Sequence, residues 1–274
     1  MTSSELKQAA KYALKDNFIQ KILLFIVPLA LSILTGRFSN SPTTSLRYRL
    51  ENSNIDFFSD PDVLSNIDWG LVLAIAIPII IVSLVIGFFI TVIVTVFQTA
   101  SMFNYLEIFR GKKEDINLSK DILRTFNDNS FWKIAILTLV TQIIFFLLSF
   151  TPFIGWIYMI FFGVAWSQLI LFLLFFLPVI SWIFAIYLGF AWSQATYVLY
   201  DKLKNNQYQG IWDVLSTSKK MMKGYKFKYF LFNLTFIGWY ILSNFFFGLP
   251  KIWTMPYTEM SMVAFYEARI QERL

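Results

Sequence analysis

The sequence predicts an all-α protein: a polytopic bundle of transmembrane helices, one integral membrane domain over residues 1–274, with no soluble domain. Three observations carry that reading. The chain is 57% hydrophobic and only 15% charged, whereas soluble domains carry roughly 25% charged residues. Several apolar runs reach the ~18 residues that read as a membrane-crossing helix. Those runs are continuous rather than alternating with period two, which argues against a membrane β-barrel.

The elements follow in order. Residues 1–17 read as an amphipathic cytoplasmic lead-in, with Leu6, Ala9, Ala10, Ala13 and Leu14 on one helical face and Lys7, Lys11 and Lys15 on another. That pattern suits a helix at a membrane surface. The first apolar run, Phe18–Thr35, is followed by no small-residue cleavage site and reads as a retained span. A polar loop at 36–68 holds the acids Glu51, Asp56, Asp60, Asp62 and Asp68. The second span, Trp69–Ala100, is long for a ~30 Å hydrocarbon core, so it must tilt or continue past the membrane. A charged segment at 101–130 precedes the third span, Phe131–Thr151. Residues 152–200 carry no charge at all. A last long run begins near Tyr229, and a weakly hydrophobic segment with a charged end follows it.

Placement of charge predicts orientation, because Lys and Arg near span ends stay in the cytoplasm. The 201–228 loop has seven lysines against two aspartates. It, the N-terminus and the 101–130 segment are therefore expected inside, and the acidic 36–68 loop outside. The third span leaves the chain outside, yet residue 201 must be inside again. One crossing over about Pro178–Leu199 satisfies that parity, with 152–177 as a re-entrant, interfacial or strongly bent element. With the run after Tyr229, this makes about six membrane elements.

The basic loop has a second reading. Ile211, Leu215, Ser218 and Met222 share a helical face, and Gly224 is placed to end that helix. Lys219, Lys220, Lys223, Lys226 and Lys228 follow closely. Besides anchoring the next span, they are candidate contacts for anionic lipid at the cytoplasmic face. Nucleic acid is not an expected partner, since orientation already explains the charge.

Chemistry is sparse. The chain has no cysteine and no histidine, which removes thiolate metal sites and the commonest general base. It has no Walker A motif, G-x-S-x-G elbow or HExxH. An enzyme is not expected, nor a cofactor or a metal. Glu107 has Arg110 three residues on, a spacing at which helical charges pair. Glu259 lies within the last apolar segment, where a carboxylate needs polar surroundings. Gln98, Gln142, Gln168, Gln194, Asn233 and Asn244 are expected to hydrogen-bond between helices. Gln168, Gln194 and Tyr197, with Glu259, are the candidate polar groups of an intramembrane cavity. The Gln168 and Gln194 members both sit in an "AWSQ" tetrapeptide, at 165–168 and 191–194.

The opening "SELKQAAKYALKDNF", the stretch "AWSQATYVLYD", and the tail "STSKKMMKGYKFKYFLFNLTFIGWYIL" followed by "KIWTMPYTEMSMVAFYEARI" together resemble a bacterial multi-pass membrane family known as domain of unknown function number 975. The resemblance spans most of the chain. It departs at "FFFGLPKIW", at "LPVISWIFAIYLGF" and in the extra apolar length around 152–177. It implies about six membrane elements and a cytoplasmic C-terminus, and supplies no reaction or substrate.

The expectation is therefore an integral protein of the bacterial plasma membrane with no enzymatic role. It would act through helix and lipid contacts, as an accessory to a membrane protein partner or in envelope or peptide-stress tolerance. The alternative is a small-molecule or ion transporter or channel, with a pathway near residues 152–200 and Glu259.

Overall fold

The computed structural model describes residues 2–31, 69–162, 168–246 and 248–272, excepting the side chains at 69, 71–73, 152–162, 168–175 and 244. The acidic loop expected at 36–68 lies outside the described residues. All regular structure in the described residues is helical.

Helix α1 (Ser3–Lys15) starts at a capping box: the Glu5 amide donates to the Thr2 hydroxyl and the Thr2 amide to the Glu5 carboxylate. Asn17, with φ of 51°, turns the chain into α2 (Phe18–Leu23). Asparagine is among the few residues that take this left-handed geometry readily. The predicted face of α1 is the buried one, through Leu6, Ala10 and Leu14, and it packs against the last helix, α12 (Lys251–Gln271). Protein, rather than bilayer, covers it.

Helix α3 (Trp69–Phe109) has 41 residues, about 60 Å at 1.5 Å per residue. It runs well past a ~30 Å core, as its sequence length predicts. Its N-terminal half exposes apolar side chains on every side, among them Ile75, Ile79, Ile80, Leu84, Val85 and Phe89. The hydroxyls there satisfy themselves inside the helix: Ser83 donates to the Ile79 carbonyl at 2.7 Å and Thr91 to that of Gly87 at 2.8 Å. From Val96 onward the same helix becomes core, with Val96, Ala100, Phe103, Tyr105 and Leu106 all buried.

Two short helices, α4 (Leu118–Ile122) and α5 (Arg124–Asn127), cross the base. Then α6 (Phe131–Phe162) and α7 (Gln168–Trp192) form a long hairpin. Its arms are antiparallel: Phe145 meets Gly189 and Trp192, while Ile134, nearer the base, shares a cavity wall with Leu199. In the stretch 152–177, expected to be re-entrant, interfacial or strongly bent, the described residues are helical. Residues 152–162 extend α6 and 168–177 extend α7 as helix. An uncharged apolar sequence can satisfy its backbone only within itself, so helix wins over irregular chain. One arm leaves the base and the other returns to it.

After α7 come α8 (Ala195–Lys204) and α9 (Ile211–Met221). Gly224 takes φ of 82° just beyond α9, a geometry a Cβ would strain. The α9 face through Ile211, Leu215, Ser218 and Met222 is buried as predicted. It packs on α7 and α8, and Ser218 donates to the Ala191 carbonyl at 2.9 Å. The run after Tyr229 divides into α10 (Lys226–Leu234) and α11 (Ile237–Phe245), nine residues each, joined by a turn with three-residue hydrogen bonds at Thr235 and Phe236.

Three stretches among the described residues are long and apolar enough to cross a membrane: Ala74–Phe109, Phe131–Thr151 and Phe176–Lys204. Six is therefore not reached within them. Only 6%, 17% and 11% of their most apolar windows is buried within the chain. The continuous core instead gathers at one end, where α1, α2, α8 and α12 pack on the polar half of α3 and α9 packs on α8. Its packing is that of a globular core, because the charged residues near the span ends pair with one another instead of facing water.

Candidate functional site

Three features stand out: a charged knot at the base, a polar cluster around Glu259, and a cavity between the spans. The knot grows from the end of α3. The Arg124 guanidinium clasps the Glu107 carboxylate with two hydrogen bonds, at 2.6 and 2.9 Å. The Tyr200 hydroxyl donates to the same carboxylate at 2.6 Å, and Lys204 pairs with it too. Arg110 makes its own fork to Asp201, at 2.5 and 2.8 Å, and donates to Glu267 at 2.8 Å. Tyr266 completes that group by donating to Asp201 at 2.7 Å. Burial, followed by the adjacent carboxylate, pushes the Tyr266 phenol well above its usual range.

The expected Glu107–Arg110 pair along one helix is therefore replaced. Each residue finds tertiary partners with bidentate geometry, which an exposed pair three residues apart cannot match. Behind them Asn104 is fully buried. It donates to the carbonyls of Ala100 and Asp121 and accepts from Lys113 and Arg124. The knot thus ties α3, α4, α5, α8 and α12 together. Arg124, Asp201, Tyr266 and Glu267 were not singled out from the sequence. Only the clustering of opposite charges near span ends hinted at them.

Glu259, on α12, accepts a hydrogen bond of 3.0 Å from the Gln98 amide of α3. This is an interhelical bond of the kind expected of Gln98. Some surface of Glu259 remains accessible, yet protein crowds the carboxyl closely enough that burial pushes its pKa up to about 7, against the opposing effect of the Gln98 bond. Gln194 and Tyr197 are fully buried nearby at the α7–α8 turn. The Tyr197 ring stacks on that of Tyr266, with centroids 5.1 Å apart. The Gln194 amide donates to the Ser193 hydroxyl at 3.2 Å. Among the described residues, the Gln194 carbonyl oxygen and the Tyr197 hydroxyl have no hydrogen-bond partner. The side chain of Gln168 lies outside the described residues, as does that of Asn244.

The cavity has a volume of about 300 Å³ and lies between α3, α6 and the α7–α8 junction. Thr95, Thr99, Thr138, Thr141, Gln142 and Thr196 give it a hydroxyl-rich wall. Its lining runs through Ala195, Thr196 and Leu199 and passes by Gln194 and Tyr197, which point into packed protein. The polar wall therefore comes from the faces beside the residues picked out in the sequence. The signal for it was the four-residue spacing of Thr95 and Thr99, met by Thr138 and the Thr141–Gln142 pair on α6.

The lysines of the basic loop divide. Lys219, Lys220 and Lys223 are exposed. Lys226 sits 3.3 Å from the Tyr187 ring centroid and is half-buried, a cation–π contact that fixes it to α7. Among the described residues, no group of three or more acidic side chains is placed to hold a metal ion.

Long apolar helices joined by a charged knot at one end define an all-helical protein of membrane character. The model for the family described as "Protein of unknown function (DUF975)" matches residues 1–273, so the chain belongs to that family. Comparison with curated proteins and with solved structures finds no match.

Proposed function

We propose that this protein is a non-enzymatic component of the bacterial plasma membrane, with both termini cytoplasmic, that serves as an accessory to a partner membrane protein or in envelope or peptide-stress tolerance. One observation carries this reading. The three apolar stretches bury little of themselves within the chain, while the charged knot locks the basal ends of two of them, Ala74–Phe109 and Phe176–Lys204. A rigid base that holds spans with uncovered faces suits lateral association with lipid or with another protein's helices. The basic 201–228 loop adds a positive surface on the same side.

The test is purification of the tagged protein in a gentle detergent, followed by mass spectrometry of what accompanies it. A stoichiometric membrane protein is the expected result. A monodisperse chain that carries lipid alone, and forms no cross-link in membranes from single cysteines placed at Ile79 or Ile183, overturns the accessory role. Because the chain has no cysteine of its own, those probes report without background.

A second reading has its own support in the threonine-lined cavity. A hydroxyl-rich chamber between spans is what a transporter or channel for a small polar solute needs. Filling it by Thr99→Leu in reconstituted vesicles should abolish any solute flux the protein supports. Flux that persists unchanged removes the cavity from the pathway.

A further inference from the structure

A groove of about 380 Å³ runs between α1, α11 and α12, away from both the cavity and the knot. Lys11 and Lys15 stand at one side, and Phe18, Trp239, Trp253 and Tyr257 supply its apolar wall. We propose that it is a specific site for one anionic phospholipid. The proposal rests on the protein being membrane-embedded and deepens the lipid contacts named above.

Charge is the first argument. Lys11 and Lys15 are exposed and form no hydrogen bond or ion pair among the described residues. The neighbouring charges do not neutralise them. Glu5 is spent on the α1 cap, and among the described residues Asp16 forms no ion pair with either lysine. Lys7, one turn before Lys11, already donates to the Thr235 carbonyl at 3.3 Å and lies over the Phe236 ring. Lys7 is lowered from its usual range first by burial and then by Lys11, so the row repels itself and favours an anion.

The apolar wall is the second argument. Trp239 and Trp253 come from different helices, flank the same groove and stay partly exposed. Tryptophan beside lysine is the composition of the headgroup boundary, where an apolar ring meets acyl chain and a cation meets phosphate. The groove is smaller than a whole phospholipid. It would receive the phosphate and glycerol at Lys11 and Lys15, and the first methylenes against the two indoles. A free phosphate would use the lysines and leave the indoles unused. The third argument is structural: the buried face of α1 is held by α12, which fixes the lysine row over the groove without help from lipid.

The test is native mass spectrometry of the purified protein offered equal amounts of phosphatidylglycerol and phosphatidylcholine with the same chains. Phosphatidylglycerol should be retained preferentially. K11Q/K15Q should cut that preference between about five- and thirtyfold, at roughly a fivefold loss per lysine. K219Q/K220Q, on the basic loop, should leave it unchanged. Phosphatidylglycerol with brominated chains should quench tryptophan emission, and W239F/W253F should remove most of that quenching. Equal retention of the two lipids, an unaltered preference in K11Q/K15Q, or full displacement by inorganic phosphate overturns the site. None of these outcomes bears on the accessory reading. Recovery of the protein from the soluble rather than the membrane fraction would end both.

Discussion

The two halves of α3 make the most instructive comparison in the molecule. Residues 74–93 and 96–109 belong to one unbroken helix, yet they obey opposite rules. In the first half every side is apolar and uncovered, and the hydroxyls bond back to their own backbone. In the second half the apolar residues are buried, and the polar ones reach other helices: Gln98 to Glu259, Ser101 to the Leu24 carbonyl, Tyr105 to the Lys21 carbonyl, Glu107 to Arg124. Where the surroundings are hydrocarbon there is no hydrophobic drive between helices, so packing there rests on contact alone. At the base, buried apolar side chains pack on one another and charges select the partners. The fold is specified at the base, and the apolar ends remain free to associate.

This contrast can be broken by substitution, and the largest effect should fall in the core. Phe103 is buried against the Tyr200 ring at 4.9 Å. Phe103→Ala should cost about 3–5 kcal/mol, seen as a large fall in melting temperature in mild detergent. Arg110→Ala should follow, at roughly 2–4 kcal/mol, because Asp201 and Glu267 would lose their shared cation while half-buried. A melting temperature within a degree of the parent would mean that the knot is decoration.

Glu259 sharpens the comparison through pH. Its carboxyl is raised from 4.5 to about 7. Below about pH 4.5 it is neutral in the folded and unfolded chain alike, so its burial carries no charge penalty. Between about 4.5 and 7 the unfolded chain ionises first, and the penalty grows. Above about 7 it is complete. E259Q keeps a neutral side chain able to bond Gln98 at every pH. It should melt close to the parent at pH 4.5 and higher at pH 8, by at most about 3 kcal/mol. An advantage that does not change with pH would show that the carboxyl is not raised. The smallest effect belongs to the uncovered half. Ile80→Ala should change stability by less than about 0.5 kcal/mol. A loss comparable to that of Phe103→Ala would show that this face is covered in the folded protein.

Much of the base was visible in the sequence as pattern and invisible as contact. The α1 stripe through Leu6, Ala10 and Leu14 and the α9 stripe through Ile211, Leu215, Ser218 and Met222 were both legible from helical spacing. What each stripe covers was not. An amphipathic face reads the same whether it meets bilayer or protein, and here both meet protein. Glu259 was legible as a costly residue; its partner Gln98, 161 positions away, was one of several amides with equal claim. Gln194 and Tyr197 were chosen for polarity and proved to be buried beside the cavity rather than lining it. One step of helical rotation separates them from Ala195, Thr196 and Leu199, which do.

Local sequence was enough for the all-helical class, the long apolar spans and the concentration of charge at the ends of those spans. Each follows from composition and period, which act over a few neighbouring residues. Packing alone set Glu107 against Arg124 rather than Arg110, and α1 against α12. Those outcomes depend on which of several equivalent partners arrives at hydrogen-bond distance. That is a property of how helices pack at the base, and nothing in local spacing encodes it.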